Sequence, residues 1–498
     1  MKRSTLFQSV FTLVTASFCL GSYGQTVEDV SLFNTNTLRG TPRYTAMGGA
    51  FTSLGGDFSA IHLNPAGQSV FKNNTAGLSL GFQNLEMESS FFDQNTIEED
   101  FNVDVENFGL VFKFDVNAKN QDWKKLALGL SYQKKAEFNR SYTVSGFNDG
   151  LSLSEIWANR AEGLDSSGFL NEPAFAAFQS FLLVTDANGV VIEDGYAHAL
   201  NPDNDILYNR QESGALNEFA VNFSGQYKTR FYYGFSLGFP TLNYRLEQNI
   251  SETGFPTDSI PFDATGYSFF RDNRIDADGF NFSVGAIGRI TDWWRLGASF
   301  QSPTWYTVTQ LFEFDLSTQF ANGDQFDSDI FSTGDYSYQL QTPAFYRVGT
   351  SFIFGELGLL SFDYSYQDAT GNELSTNNNS FNIRASELSI FNEDIEAVFA
   401  NAHSFNAGAE VNFKPFVVRA GYAYQQSPYA NEQFFQGDIT TYSGGLALRM
   451  AKFDIELAYS YATFDQDDVL FASDFGSLET NKTQNTRTNF IAGFNFRF

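Results

Sequence analysis

From residue 74 to the end of the chain, apolar and polar side chains alternate in long segments. Phe453, Ile455, Leu457, Tyr459 and Tyr461 take one parity, and Asp454, Glu456, Ala458 and Ser460 take the other. Phe280, Phe282, Val284 and Ala286 likewise oppose Asn281, Ser283 and Gly285, and Phe405, Ala407, Ala409, Val411 and Phe413 oppose Asn406, Gly408, Glu410 and Asn412. The last segment, Thr486 to Phe498, sets Phe490, Ala492, Phe494, Phe496 and Phe498 against Arg487, Asn489, Gly493, Asn495 and Arg497, and ends on a Phe. Successive side chains on a strand point to opposite faces, so each segment predicts a two-sided strand. Slipping one by a residue would exchange its faces, which fixes the register.

Fourteen such strands are predicted, at about 74–88, 103–116, 124–145, 213–227, 231–248, 276–290, 293–315, 335–354, 357–368, 401–413, 416–427, 437–451, 453–464 and 485–498. Tight turns such as Lys228-Thr229, Thr291-Asp292, Gly355-Glu356, Lys414-Pro415 and Ala451-Lys452 alternate with long connections at 89–102, 146–212, 249–275, 316–334, 369–400, 428–436 and 465–484. Short turns at one end and long loops at the other, with an even strand number, predict an all-β fold: an antiparallel transmembrane β-barrel of the outer-membrane kind. Greek-key sandwiches do not alternate so regularly.

The N-terminus agrees. Lys2 and Arg3 precede an apolar run from Leu6 to Leu20, and Ser22 and Gly24 flank Tyr23 ahead of Gln25, which reads as a signal peptide over 1–24 cleaved near Gly24/Gln25. Phe18 before Cys19 is too bulky for a lipoprotein cleavage site, and Cys19, the only cysteine, leaves with the leader. Beyond it no apolar stretch approaches the roughly 20 residues a membrane helix needs. Aromatics are abundant, with 57 Phe and 23 Tyr. Loss of Lys2 and Arg3 takes the net charge from −28 to −30, which repels nucleic acid.

Residues 25–73 lack strand alternation. Thr37-Leu38-Arg39-Gly40, Ala46-Met47-Gly48-Gly49-Ala50, Gly55-Gly56-Asp57 and Asn64-Pro65-Ala66-Gly67 form a Gly-rich string of turns and short helices. Small residues permit close packing, and a wide barrel has room for a plug of this size. The Ala-Met-Gly-Gly-Ala-Phe run, the Gly-Gly-Asp stretch and Asn64-Pro65-Ala66-Gly67 just before the first strand resemble the hatch of the FadL/TodX family. That resemblance implies a fourteen-stranded barrel with an N-terminal hatch over 25–73 and a barrel over 74–498. It also implies outer-membrane transport of long-chain fatty acids or aromatic hydrocarbons, with sideways exit at a kinked strand. Gly48, Gly49, Asp57, His62, Asn64, Pro65, Ala66 and Gly67 become the candidate gating residues. Asn64 and Pro65 equally suit a plain turn into strand one. Gly109 and Gly129 are candidate kink positions.

Three histidines, His62, His198 and His403, form no metal or catalytic constellation with other residues, so no enzyme, metal or cofactor is expected. Arg289, Arg347, Arg419, Arg449 and Arg497 have inward parity, as do Asp363, Glu410, Asp454 and Glu456. Two accounts stand: ion pairs binding wall to hatch, or arginine forks receiving a ligand carboxylate, the latter naming Arg289, Arg347, Arg419 and Arg449. The connection 146–212 gathers Ile156, Trp157, Phe175, Phe178, Phe181 and Leu182, and 386–400 carries Leu388, Ile390, Phe391, Ile395, Val398 and Phe399. These segments either pack on one another or make the capture groove the family implies, with Trp157, Phe175, Phe178, Phe181 and Leu182 receiving ligand. Asp203, Asn204, Asp205, Asp465, Asp467 and Asp468 suggest Ca²⁺ binding or a divalent bridge to lipopolysaccharide, but they lack calcium-loop spacing and read rather as a solvated acidic surface.

The expectation is a passive importer of hydrophobic small molecules in the outer membrane of a Gram-negative bacterium, in contact with lipid and lipopolysaccharide. No energy-coupling box is recognisable. The alternative is a barrel that docks secreted cargo proteins for a secretion system. An open porin fits poorly with a plug-like N-terminus.

Overall fold

The computed structural model describes residues 27–35, 37–116, 122–148, 152–161, 173–183, 204–255, 264–376, 380–381, 383–430, 436–469, 472–473, 476–477 and 480–498. The proposed leader, His198 and Asp203 lie outside them.

Alternation folds into a closed antiparallel barrel of 14 strands. They are β1 Thr75–Phe91, β2 Gln94–Asp115, β3 Trp123–Glu137 continued by Arg140–Asn148, β4 Asn204–Tyr227, β5 Phe231–Thr253 and β6 Ala264–Arg289. Next come β7, Trp294–Gln301 with Thr304–Phe320, and β8, Phe331–Thr342 with Phe345–Ile353. The rest are β9 Gly358–Asp368, β10 Asn401–Phe413, β11 Phe416–Gln425, β12 Ile439–Arg449, β13 Phe453–Val469 and β14 Thr480–Arg497. Pro303 and Pro343 fall at the breaks in β7 and β8, where a missing N–H ends a ladder. Closure is made by β14 against β1, with Thr75 opposite Arg497 and Phe82 opposite Phe490.

Five connections, 89–102, 146–212, 249–275, 316–334 and 465–484, are shorter than the sequence suggests. Residues 89–102 are not a loop: β1 and β2 continue to Phe91 and Gln94 around Phe92-Asp93, whose φ angles of 44° and 59° make a tight two-residue hairpin. Strands β4, β5 and β6 likewise reach Asn204, Thr253 and Ala264. Along these extensions the outward face turns polar, as Asn84, Glu86 and Glu88 on β1 show, while apolar residues such as Leu85, Met87 and Tyr208 turn inward, so the greasy-out, polar-in contrast of the belt is lost there. Below them the outward face is an exposed apolar belt that includes Phe490, Phe494, Leu457, Phe405 and Val348.

The N-terminal segment lies in the interior. It comprises α1 (Val27–Asn34), α2 (Pro42–Ala46), α3 (Ala60–Leu63) and a 3-10 turn, Pro65–Val70. Thr41 caps α2 by accepting from the Tyr44 N–H, with Pro42 opening the helix. Inward glycines on many strands let it approach the wall. A Cβ on Gly421 would stand 2.1 Å from the Gly48 nitrogen, one on Gly297 2.2 Å from the Thr52 carbonyl oxygen, and one on Gly234 2.3 Å from the Pro65 carbonyl oxygen. On β2, a Cβ at Gly109 would meet the Phe58 ring at 2.1 Å. Around the barrel, glycine is therefore where segment and wall touch.

Toward the end that carries the long connections, α4 (Leu153–Ala161) and α5 (Pro173–Gln179) pack with inward residues of the wall such as Tyr142, Tyr208 and Phe314. Helix α6 (Ala385–Val398) buries Leu388 and Ile395 against Val30 and Phe33 of α1. No described helix is long and apolar enough to cross a membrane, which leaves crossing by strands untouched.

Candidate functional site

The motif residues of the N-terminal segment converge inside the barrel. Gly48 and Gly49 take φ angles of 61° and 77°, and Gly48 lies against the backbone of Tyr422 on β11. Asp57 accepts from the Thr41 hydroxyl at 2.7 and 2.8 Å and from the Ser59 N–H at 2.9 Å. Burial pushes its carboxyl above the usual range, against the pull of Arg43. Asn64 donates to the carbonyls of Thr52 (2.7 Å), Ala286 (3.2 Å) and Ala298 (3.3 Å), while its Oδ1 accepts from the Ala66 N–H at 3.1 Å. One amide thus caps the turn, closes the segment on itself and pins it to β6 and β7. The Pro65 carbonyl accepts from Asn222 at 3.2 Å, and Gly67 lies against Gly55.

His62 is buried, with Nδ1 2.6 Å from Glu218 and Nε2 3.1 Å from the Ser131 hydroxyl. Burial lowers its pKa from the ordinary value, partly offset by Glu218. The neutral ring therefore donates from Nδ1 and accepts the hydroxyl at Nε2. Lys135 lies 3.9 Å from the same carboxylate.

Among the arginines read as inward, Arg419 is fully buried between Glu410 at 3.0 Å and Glu456 at 2.8 Å. Arg449 binds Glu410 at 3.0 Å, and Arg43 of the N-terminal segment reaches it at 2.9 Å. Arg497 holds Asp454 at 2.7 Å. Arg289 sits at a short turn with Asp292. Internal partners therefore occupy Arg419 and Arg449. Arg347 differs: it is buried, bonds Gln301 at 3.3 Å, and lies 4.7 Å over the Phe345 ring, with no carboxylate in ion-pair range among the described residues.

Between β2 and β3 a stretch of the wall lacks a ladder. Strands β2 and β3 pair from Asp115 opposite Lys125 up to Asn107 opposite Gln133, and there the pairing stops. A bulge between Ser79 and Leu80 of β1 leaves Glu106 as the extra residue on β2, turned inward and buried. Beside it β3 breaks at Phe138-Asn139, where Asn139 Oδ1 accepts from the N–H of Gly214, a residue with φ of 128°. The kink thus falls beyond Gly129 and Gly109, which serve instead as contact points for Gln68 and Phe58. Side chains bridge the upper seam: Asp100 accepts from the Ser141 N–H at 2.6 Å and Glu98 from the Thr143 N–H at 2.9 Å.

Across the inner side of this seam lies Arg39. It grips Glu106 at 3.0 and 2.6 Å, bonds Gln83 at 2.7 Å, and its carbonyl accepts from Gln133 at 2.7 Å. Lys134 adds Asp104 at 2.6 Å and a contact to Glu137. Sequence reasoning quoted Arg39 only as part of a loop string and missed its partners. A signal was present, since the parity of Val103 and Val105 shifts before Phe108, which marks the bulge at Glu106-Asn107.

Toward the mouth, Trp157 is buried between the rings of Tyr267, 5.6 Å away, and Phe269, 5.1 Å away. Leu182 is buried as well, Phe175 and Phe178 are partly covered, and Phe181 is exposed against Phe326 at 4.9 Å. These side chains mainly pack on one another and on the wall. A cavity of about 70 Å³, open to solvent on one side, lies instead between α1 and strands β8 to β12. A smaller one beyond it, sharing Gln425 and Ile439, runs to Arg39 and Arg487.

These features define a class: a closed fourteen-stranded barrel whose N-terminal segment packs against inward glycines of many strands, with an unpaired seam between β2 and β3. By fold the chain resembles the FadL/TodX family. It is similar to the crystal structure of a Pseudomonas aeruginosa FadL homologue (TM-score 0.56, 14% identity, 93% of this chain and 99% of that one). It is similar also to the P. putida toluene transporter TodX (TM-score 0.53, 15% identity, 93% and 99%). No family profile and no curated protein matches the sequence.

Proposed function

We propose that the protein is an outer-membrane transporter that passively imports hydrophobic small molecules. The observation that carries this reading is the pairing of a filled interior with an unpaired seam at β2/β3. A straight aqueous passage is blocked at the glycine contacts, whereas the seam offers a sideways way out of the interior. The outward apolar belt fits lipid. On β14 and the residue after it the belt runs from Phe490 to Phe498, about 27 Å of extended chain at ~3.4 Å per residue, or about 20 Å along the axis at a ~40° tilt. The FadL homologue and the toluene transporter share this fold over nearly the whole chain, which supports hydrophobic cargo here.

In this reading residues 25–73 are a plug, the turns face the periplasm, and the leader directs export. Ligand enters from the mouth, passes the cavity beside α1, and leaves where Arg39 closes the seam. Asn64 holds the plug to β6 and β7 and Pro65 holds it to β4, so movement there accompanies release. Of the arginines considered for a ligand carboxylate, Arg347 alone keeps that role open, because Glu410 and Glu456 already satisfy Arg419 and Arg449, and Arg289 sits at the rim. The buried loop aromatics shape the mouth, and Phe181 alone of them is well exposed to incoming ligand. No step requires catalysis.

Uptake of a labelled alkane, an aromatic hydrocarbon and a fatty acid by cells with and without the protein tests the proposal. Protein-dependent uptake of at least one, without large steady conductance in planar bilayers, is expected. Large conductance with no protein-dependent uptake would overturn it.

A further inference from the structure

The cavity beside α1 has an unusual lining for a hydrophobic route. Its walls carry amides and hydroxyls, including Gln367, Gln425, Gln426 and Gln436, with Phe345, Tyr366 and Tyr429 as the aromatic part, and no charged side chain lines it. Some of these polar groups are already bonded: Gln367 donates to Asn34 at 3.3 Å. Among the described residues, Gln426, Gln436, Ser365 and Ser404 have no side-chain hydrogen-bond partner, and they face this space. Arg347 does not line it and lies over the ring of Phe345, which does.

Each candidate cargo meets this lining differently. A bare hydrocarbon would displace water from open amides without replacing its hydrogen bonds, which loses affinity. A carboxylate would give up hydration with no cation to meet it. A neutral hydroxyl, ester or amide head satisfies the amides, while its chain lies along the aromatic side. Sites built to bond such a head discriminate strongly against analogues lacking it.

We infer that the cavity formed by α1 and strands β8 to β12 is a binding site for amphiphiles with a neutral hydrogen-bonding head group. This rests on the transport reading above and adds the class of cargo. The adjoining cavity sets the main contrast. Arg487 reaches into it with no carboxylate partner among the described residues, and it lies 5.0 Å over the Phe464 ring. An anionic ligand, if preferred, would bind there.

The test uses the full-length protein in lipid nanodiscs, with empty nanodiscs as background, and radiolabelled monolauroylglycerol, laurate and dodecane as probes. Monolauroylglycerol binding at least tenfold tighter than either of the others is expected. Gln426→Leu with Gln436→Leu should lower its affinity at least tenfold and leave laurate unchanged, while Arg487→Gln should leave monolauroylglycerol unchanged. Both glutamines lie in the connection between β11 and β12, and heat-modifiable migration on gels reports that the barrel has folded. Ser404→Val supplies a second variant in case the first misfolds. Laurate binding as tightly as monolauroylglycerol and lost in Arg487→Gln would overturn the inference in favour of an anion site, and equal binding of dodecane would overturn it too. Failure of all three probes to bind, with protein-dependent uptake intact, sinks the cavity inference alone. Loss of uptake itself sinks the transport reading.

Discussion

Replacing Arg39 with Met keeps the length of the side chain and removes the charge that spans the seam. Arg39 makes two bonds to Glu106 and one to Gln83, and both Arg39 and Glu106 are almost fully buried. Taking one member from a buried ion pair leaves a stranded charge and typically costs about 3–5 kcal/mol. The lower end applies here, because Lys134 stands close by on Asp104 and partly offsets the acid left behind. About 3 kcal/mol is roughly a hundredfold in the equilibrium between docked and undocked segment. Hydrogen exchange of the amides of residues 37–48 reads that equilibrium directly, provided local opening dominates. Protection in Arg39→Met should fall about a hundredfold, with the amides of β4 to β6 unchanged. A charge-reversed pair, Arg39→Glu with Glu106→Arg, should recover part of it. A change below about threefold, with the barrel folded, would show that Arg39 does not hold the segment at the seam.

Glu410→Gln should be more damaging than Arg449→Gln. It leaves Arg43, Arg419 and Arg449 short of a shared acid, and a loss of about 3–5 kcal/mol should appear as a lower thermal midpoint. Gly421→Val should fold as a barrel yet free the segment, because its Cβ would overlap the Gly48 nitrogen; protease nicking near residues 40–50 should rise while heat-modifiable migration persists. For His62 the folded pKa lies below the ordinary 6.5, so its contribution is fully present above about pH 6.5 and is lost as pH falls through the folded value. The thermal midpoint should therefore drop between pH 7 and pH 5 by more in the native protein than in His62→Gln; equal slopes would contradict this.

The seam also shows why sequence and structure divide as they do. Parity along a strand is a local property, so Phe494 and Leu457 facing out and Glu410 and Arg419 facing in were legible from neighbours two residues away. The even strand number and the short turns followed from the same pattern. The upper reaches of β1, β2 and β4 to β6 were not legible, because clear of the belt the outward face turns polar and residues such as Met87, Tyr208 and Phe269 turn inward, so the greasy-out pattern no longer holds. Nor did the Gly-rich string before residue 74 reveal its contacts: Gly48 meets Tyr422 and Arg39 meets Glu106 only after the chain has closed.

By itself, the sequence determined a two-faced antiparallel barrel preceded by a small-residue segment, because hydrophobic alternation and glycine content act through local sterics and burial. Only the tertiary structure decided which charges are spent on one another. Arg419, Arg449 and Arg43 converge on Glu410, Arg347 is left behind Phe345, and an uncharged cavity opens beside α1. Those outcomes depend on the stagger between strands and on where the segment docks. Both are set by contacts between residues hundreds of positions apart, which no local pattern encodes.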